Sequence, residues 1–380
     1  GDAGTTLWPA VVTNADAYRS STGLGVVFDV VESATEAWDR MWVGNCSGGI
    51  RQARDGNDRW QTVTERNGGR PFDMEYDPSG DRLIGWYYCD LFLRYSDDRS
   101  ATHSYYEDYF LNDAATSALP ICNLEGEHIE WTGRLANFQD RIYLYARLYR
   151  KQPEDGLSIS GALFVLDGDY WILTAEHPIA DMKISEHPGT IEALAAPLEF
   201  QGMLLLAGAT ETSGILLAYD GSQIQEFADV SAPLGPRRIW SMASLNDNKL
   251  YMSSGGKVLS LEDGVISDEW NFMGNKLVIK DLFADKTTNT IFISGARGSV
   301  SDSGKLTYQS LLLGKKEGGD WREFNREIFG KGGLDAPPLS TLDFGSNGKG
   351  LAAGLLRGEC ERFEYGTIMR FDGAQWYKWT

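Results

Sequence analysis

Acid–base chemistry in this 380-residue chain would have to come from a dispersed set of polar residues. Arg70 and Asp73, His128 and Glu130, Glu192, Arg237 and Arg238, Lys280 and Asp281, and Asp343 each stand at or near the start of a strand-like run. Two carboxylates flanking a glycosidic bond can cleave it, and arginines beside them can clamp an anionic ligand through paired hydrogen bonds. The same mixture, mutually neutralised, also describes the lining of a wet channel, and no pair among these residues forms a recognisable catalytic motif. Trp131 and Trp240 lie early in two of the runs and are the tryptophans placed to face a ligand. The candidate ligand-binding set is therefore Arg70, His128, Glu130, Trp131, Glu192, Arg238 and Trp240, with no catalytic role assigned.

Other chemistries find less support. The four histidines are His103, His128, His177 and His187. His177-Pro178 and His187-Pro188 share one stretch, but their spacing matches no metal-ligand pattern, even with Glu176, Asp181 or Glu186 as a third donor. A loop stiffened by two prolines is the simpler reading. No Asp-x-Asp-x-Asp-Gly loop occurs, so no cofactor is assigned; structural calcium held by loop carboxylates is the one option that the acidic composition leaves open. Gly-rich phosphate loops, a Gly-x-Ser-x-Gly elbow and Cys–His pairings are all missing. Cys46, Cys89, Cys122 and Cys360 form no Cys-x-x-Cys pair. An even number in a β-rich chain fits two disulfides in an exported protein, with four buried thiols as the alternative.

Acidic residues number 54 against 35 basic ones, for a net charge of −19. That balance argues against nucleic acid and against an anionic membrane surface, since both reward clustered Lys and Arg. No window approaches the 18 apolar residues of a membrane span. The chain starts Gly1-Asp-Ala-Gly, without a charged stretch followed by an apolar one, so a leader would already have been removed.

The elements that must position these residues announce themselves at the C-terminal end. Thr367 to Thr380 alternates up to Asp372-Gly373 and continues to Trp376. Asp-Gly between alternating runs predicts a hairpin turn with positive φ at both central residues. The pattern recurs at Asp167-Gly168 with Trp171 and at Glu317-Gly318 with Trp321. Looser forms occur at Asp55-Gly56, Asp220-Gly221 and Asp263-Gly264. Before each comes a pair of strands ending in a small residue, as in Phe72 to Gly85, Leu135 to Ala146, Leu198 to Gly208, Ser244 to Ser254, Phe283 to Gly295 and Leu342 to Gly354. The spacing is roughly 52 residues per unit, within the range of propeller blades. An all-β, seven-bladed β-propeller with four antiparallel strands per blade follows. The blades fall at about 21–64, 70–113, 128–176, 189–229, 236–270, 276–326 and 338–380, after an N-terminal extension of residues 1–20. In the second, Tyr105 to Phe110 is assigned to the outer part. Trp42, Trp171, Trp321 and Trp376 are expected to pack between blades.

The Asp-Gly-x-x-Trp endings at Asp167 to Trp171 and Asp372 to Trp376 resemble the blade signature of the broad kelch-like and sialidase-like group of seven-bladed propellers. The resemblance spans the chain as a repeat and implies the fold. No blade carries a Ser-x-Asp-x-Gly-x-Thr-Trp box, so it brings no catalytic residue with it.

With strands lettered A to D from the axis outward, the Asp-Gly turns join C to D and share a face with the A–B turns. The opposite face carries the B–C loops and D–A crossings, read here as long and irregular: Leu148 to Ser160, Thr174 to Thr190, Ala296 to Gln309, Asn325 to Leu339 and Arg357 to Tyr365. Long loops on a regular scaffold are where binding usually sits. The final blade owns all its strands, so a Cys46–Cys360 disulfide is expected to latch blade seven to blade one, with Cys89–Cys122 as the second bridge. The sequence thus predicts an exported, monomeric, non-catalytic propeller, periplasmic, extracellular or at the cell surface. It binds a protein or glycan through the long-loop face. A glycan-active hydrolase or lyase with its site at the channel mouth, and a purely structural module, are the alternatives.

Overall fold

The computed structural model describes the backbone of residues 31–37, 40–45, 50–54, 61–64, 71–87, 90–95, 100–104, 110–111, 128–129, 133–151, 157–168, 170–179, 194–210, 213–234, 237–271, 276–286, 288–300, 306–324, 339–344, 350–354, 368–371 and 376–378. Side chains are described for 73–86, 129, 133–150, 158–168, 170–179, 194–210, 213–234, 237–270, 279, 281–286, 288–295 and 311–324.

Seven antiparallel meanders follow one another along these residues. Sheet 1 comprises Val31–Ala37, Arg40–Asn45, Ile50–Arg54 and Gln61–Thr64; sheet 2, Pro71–Asp77, Arg82–Tyr87, Asp90–Tyr95 and Ser100–Ser104. Sheet 3 has Arg134–Phe138, Arg141–Lys151, Leu157–Asp167 and Tyr170–Pro178, with His128–Ile129 continuing its inner edge. Sheet 4 is Leu198–Phe200, Met203–Ala209, Gly214–Tyr219 and Ile224–Ala228; sheet 5, Ser241–Asn246, Lys249–Ser254, Lys257–Glu262 and Val265–Asn271. Sheet 6 is Lys276–Asp285, Thr290–Val300, Leu306–Lys316 and Arg322–Glu323, and sheet 7 is Leu339–Phe344, Gly350–Gly354, Ile368–Phe371 and Trp376–Lys378. Sheets 1, 2 and 4 to 7 have four strands each, as the repeat predicts. One four-residue helix, Ser231–Leu234, lies between sheets 4 and 5.

Two expectations are corrected. The outer strand of sheet 2 is Ser100–Ser104, and Phe110–Leu111 pairs in parallel with Trp171 and Ile172 as an extra outer strand of sheet 3. A free sheet edge accepts any extended segment that reaches it, and the chain between sheets 2 and 3 passes there. Second, residues read as long loops continue the ladders. Strands B and C of sheet 3 pair out to Lys151 and Leu157, and those of sheet 6 out to Val300 and Leu306.

The sheets group into two compact units, Pro71–Trp240 with sheets 2 to 4, and Gly1–Arg70 with Ser241–Thr380. Within each, successive inner strands are neighbours, and in the second Val31–Ala37 lies beside Leu339–Phe344. Among the described residues, sheet 7 therefore meets sheet 1 without sharing a strand.

Turn geometry follows the sequence unevenly. Asp263-Gly264 has positive φ at both residues, 50° and 76°, as an Asp-Gly hairpin should. At Asp167-Gly168 and Asp220-Gly221 only the glycine is left-handed. Asp220 instead closes its turn with its carboxylate, taking the Ser222 and Gln223 N–H groups at 2.8 and 2.9 Å. Asp77 is buried in the A–B turn of sheet 2, holding Arg82 Nε at 2.9 Å and Ser79 N–H at 3.0 Å, and Arg82 Nη2 reaches the Gly168 carbonyl of sheet 3 at 2.7 Å.

Apolar side chains fill the spaces between sheets. Trp86 and Ile84 of sheet 2 meet Leu144, Leu148, Phe164 and Trp171 of sheet 3. Tyr143, Tyr145 and Leu163 on the opposite face of sheet 3 meet Leu204 and Leu206 of sheet 4. Trp321 and Trp270 pack on the cluster between sheets 5 and 6. Trp171 and Trp321 are thus interblade residues as expected, whereas Trp42 and Trp376 lie outside the described side chains.

Candidate ligand-binding face

Sheet 3 rises above its neighbours on the side of the B–C loops. Its strand B has 11 residues against 6 in sheet 2 and 7 in sheet 4. At about 3.3 Å per residue, four extra residues make a ridge of roughly 13 Å. Sheet 6 does the same in its own unit, with two 11-residue strands.

The ridge owes its firmness to polar pairing. Arg150 grips Glu176 with two nitrogens, Nε to Oε1 at 3.1 Å and Nη2 to Oε2 at 2.9 Å. Ser160 donates to the same carboxylate at 2.5 Å. Burial pulls the Glu176 carboxyl upward, but the hydrogen bonds of Arg150 and Ser160 outweigh it and hold the group below the usual range. On the face toward sheet 4, Tyr145 and His177 stack with ring centres 5.9 Å apart, and the Tyr145 oxygen lies 2.9 Å from His177 Nε2. Burial lowers the His177 ring to about 4 and pushes the Tyr145 hydroxyl well above its ordinary value. His177 is therefore a buried member of strand D and not a loop residue, and the remainder of the proline-stiffened loop expected around it lies outside the described residues.

The D–A crossing from sheet 4 to sheet 5 opens onto this face too. Asp229 caps its helix by accepting the Ser231 N–H at 2.9 Å. A Cβ on Gly214 would lie 2.5 Å from the Arg237 carbonyl, so only glycine lets the crossing rest there. Arg238 is buried, with its guanidinium 3.9 Å from the centre of the Trp240 ring. A cation seated on an indole in this way is worth about 1–2 kcal/mol when partly desolvated.

Of the sequence-derived set, Arg238 and Trp240 are brought together. His128 is in a strand, but its side chain lies outside the described residues, as do Arg70, Glu130, Trp131 and Glu192. Cys46, Cys89, Cys122 and Cys360 lie there as well. Two inner-strand carboxylates prove to be fasteners. Asp73 accepts the Leu135 N–H of sheet 3 at 2.9 Å and its neighbour Met74 N–H at 3.1 Å. Burial raises its pKa, against the pull of Arg134. Asp281 accepts the Ser241 hydroxyl of sheet 5 at 2.7 Å.

Sequence reasoning missed Tyr145, Arg147, Arg150 and Ser160. Their signal was the alternation Tyr143, Tyr145, Arg147, Tyr149, which runs on past the expected strand end. Among the described residues no group of three or more His, Cys, Asp or Glu side chains is placed to hold a metal ion, and no helix is long and apolar enough to cross a membrane.

No protein-family model and no curated protein matches the chain. Solved structures do. YCF48 from Cyanidioschyzon merolae is 12% identical, with a TM-score of 0.52 over 86% of this chain and 93% of that one. YCF48 bound to D1 peptide is 14% identical, with a TM-score of 0.52 over 91% of this chain and 92% of that one. The extracellular domain of BT3049 from B. thetaiotaomicron is 10% identical, with a TM-score of 0.51 over 88% of this chain and 40% of that one. Such identities speak to fold alone, and the fold is a β-propeller.

Proposed function

We propose that this chain is an exported, non-catalytic β-propeller that binds a protein partner on the face of the B–C loops and D–A crossings. The observation that carries the reading is the ridge of sheet 3, where Arg150, Ser160 and Glu176 form a braced edge about 13 Å proud of sheets 2 and 4. A rigid projecting edge suits the broad surface of a polypeptide better than the enclosed pocket a small sugar needs. Asp73 and Asp281 support the non-catalytic part, because each is already committed to bonds between neighbouring inner strands. A YCF48 structure of the same fold carries a D1 peptide, which supports a protein ligand here by analogy.

The test is selection of peptides from a displayed random library on the purified protein, with counter-selection on Arg150→Glu, which turns the Glu176 pair into a repulsion. Binders that hold the native chain and fail on R150E support the reading. A glycan array and a panel of glycosidase and lyase substrates run beside it. Glycan retention without peptide binding would replace the partner class. Turnover that disappears in Glu130→Ala or Glu192→Ala would establish the enzyme instead.

A further inference from the structure

His177 sits where strand D of sheet 3 ends and the chain heads for sheet 4. In register it stands beside Gly161, which stands beside Arg147 on strand B. A Cβ on Gly161 would lie 2.6 Å from His177 Nε2 and 2.7 Å from the Tyr145 hydroxyl, so the missing side chain is what lets the ring lie against Tyr145. The Tyr145 hydroxyl also reaches the Ala207 carbonyl of sheet 4 at 3.3 Å. Two residues on, Ile179 is buried in the cluster shared with sheet 4. The end of strand D is thus fastened to the next sheet at two points.

The ring's proton inventory is constrained. Nδ1 is 3.3 Å from the Pro178 carbonyl, which only accepts, so Nδ1 carries the proton and Nε2 accepts from Tyr145. A second proton makes both nitrogens donors and forces the Tyr145 hydroxyl to turn wholly to Ala207. The groups facing the ring are Tyr145 from strand B and Gly161 from strand C, with Arg147 two strands away in the same cross-strand row and the Ala207 carbonyl of sheet 4 beyond the Tyr145 hydroxyl. Glu176, next in sequence, projects to the other face of the strand, where Arg150 and Ser160 hold its carboxylate. An imidazolium at this place is buried, and the charge that favours it, Glu176, lies on the other face of the strand and does not offset the burial.

We propose that His177 is a proton-sensitive latch for the end of strand D, fastened with neutral imidazole and released by acidification, so that acid loosens the ridge that Glu176 helps to build. The consequence for binding rests on the reading above, whereas the latch is observable without any ligand.

Backbone hydrogen exchange on the full chain tests it, comparing peptides that cover Tyr170 to Ile179 with peptides from sheet 5 at pH 7 and pH 5, each corrected for intrinsic exchange. With the ring at about 4 when fastened and 6.5 when free, opening of strand D should rise about 20-fold between the two conditions. His177→Phe keeps an aromatic ring on Tyr145 and should change less than about twofold. An unchanged wild type, or an equal rise in H177F, overturns the latch. Should H177F fail to fold, carbon-13 titration of the native imidazoles decides: a midpoint well below 6 for His177 supports it, and one near 6.5 overturns it. Acid opening in a protein that binds no peptide would sink the binding reading and leave the latch standing.

Discussion

Glu269 offers the sharpest test of what joins sheets 5 and 6. Between the pairs Val258–Trp270 and Leu259–Asp268 the ladder slips, leaving Glu269 as the extra residue of a bulge. Its carboxylate takes Lys249 of strand B and Lys315 of sheet 6, both at 2.6 Å, and Ser260 at 2.9 Å. Burial raises this carboxyl, but the hydrogen bonds of Lys249, Lys315 and Ser260 and the charge of Lys315 more than offset it, bringing it from 4.5 down to about 2. At about 1.4 kcal/mol per tenfold, that gap corresponds to roughly 3 kcal/mol. Lys249 and Lys315 are 21% and 19% exposed, so water and salt screen part of it, leaving about 1–2 kcal/mol for Glu269→Gln at pH 7. A carboxyl with a lower pKa folded than unfolded contributes fully above 4.5, and the contribution disappears as the pH falls through 2. The difference between wild type and E269Q should therefore shrink by more than half at pH 3. Urea unfolding followed by tryptophan fluorescence measures it, with Trp321 as a local reporter because its indole N–H donates to the Glu269 carbonyl at 3.2 Å. An E269Q protein as stable as wild type at pH 7, or equally weakened by acid, refutes the reasoning.

Other expectations follow from single residues. Gly161→Ala drives a methyl into His177 and Tyr145, and the overpacking outweighs the gain from a stiffer unfolded chain, for a net loss of about 1–3 kcal/mol readable as a lower Tm. Asp77→Ala deprives buried Arg82 of its carboxylate and should cost about 3 kcal/mol, with Asp77→Asn recovering part by keeping the Ser79 bonds. Non-reducing peptide mapping should find Cys46–Cys360 and Cys89–Cys122; a bridge across the seam would contribute on the order of 5 kcal/mol, and four free thiols would remove the case for export. A heparin column at low salt should not retain a chain of net charge −19, and salt-sensitive retention would expose a basic patch.

The sequence by itself determined the repeat. Alternating runs, small residues closing each second strand and Asp-Gly at the outer turns are local signals, because side-chain alternation and positive φ are properties of a few consecutive residues. They located the strand pairs and put Trp171 between blades. Tertiary structure decided everything that depends on a neighbouring sheet. Strands B and C of sheet 3 run on past the expected strand end because their backbones keep pairing out to Lys151 and Leu157, where Arg147, Leu148 and Ser160 are still covered by neighbouring side chains. Phe110 left its expected blade because an adjacent edge was free to take it. Glu269 faces two lysines because a bulge turned it there, and bulges leave no mark in periodicity. His177 read as a loop residue beside a proline, and only the partners around it, Tyr145 in its own sheet and Ala207 in the next, make it a buried ring held neutral. Such contacts join residues 32 and 62 positions apart in sequence, a separation at which no local pattern registers.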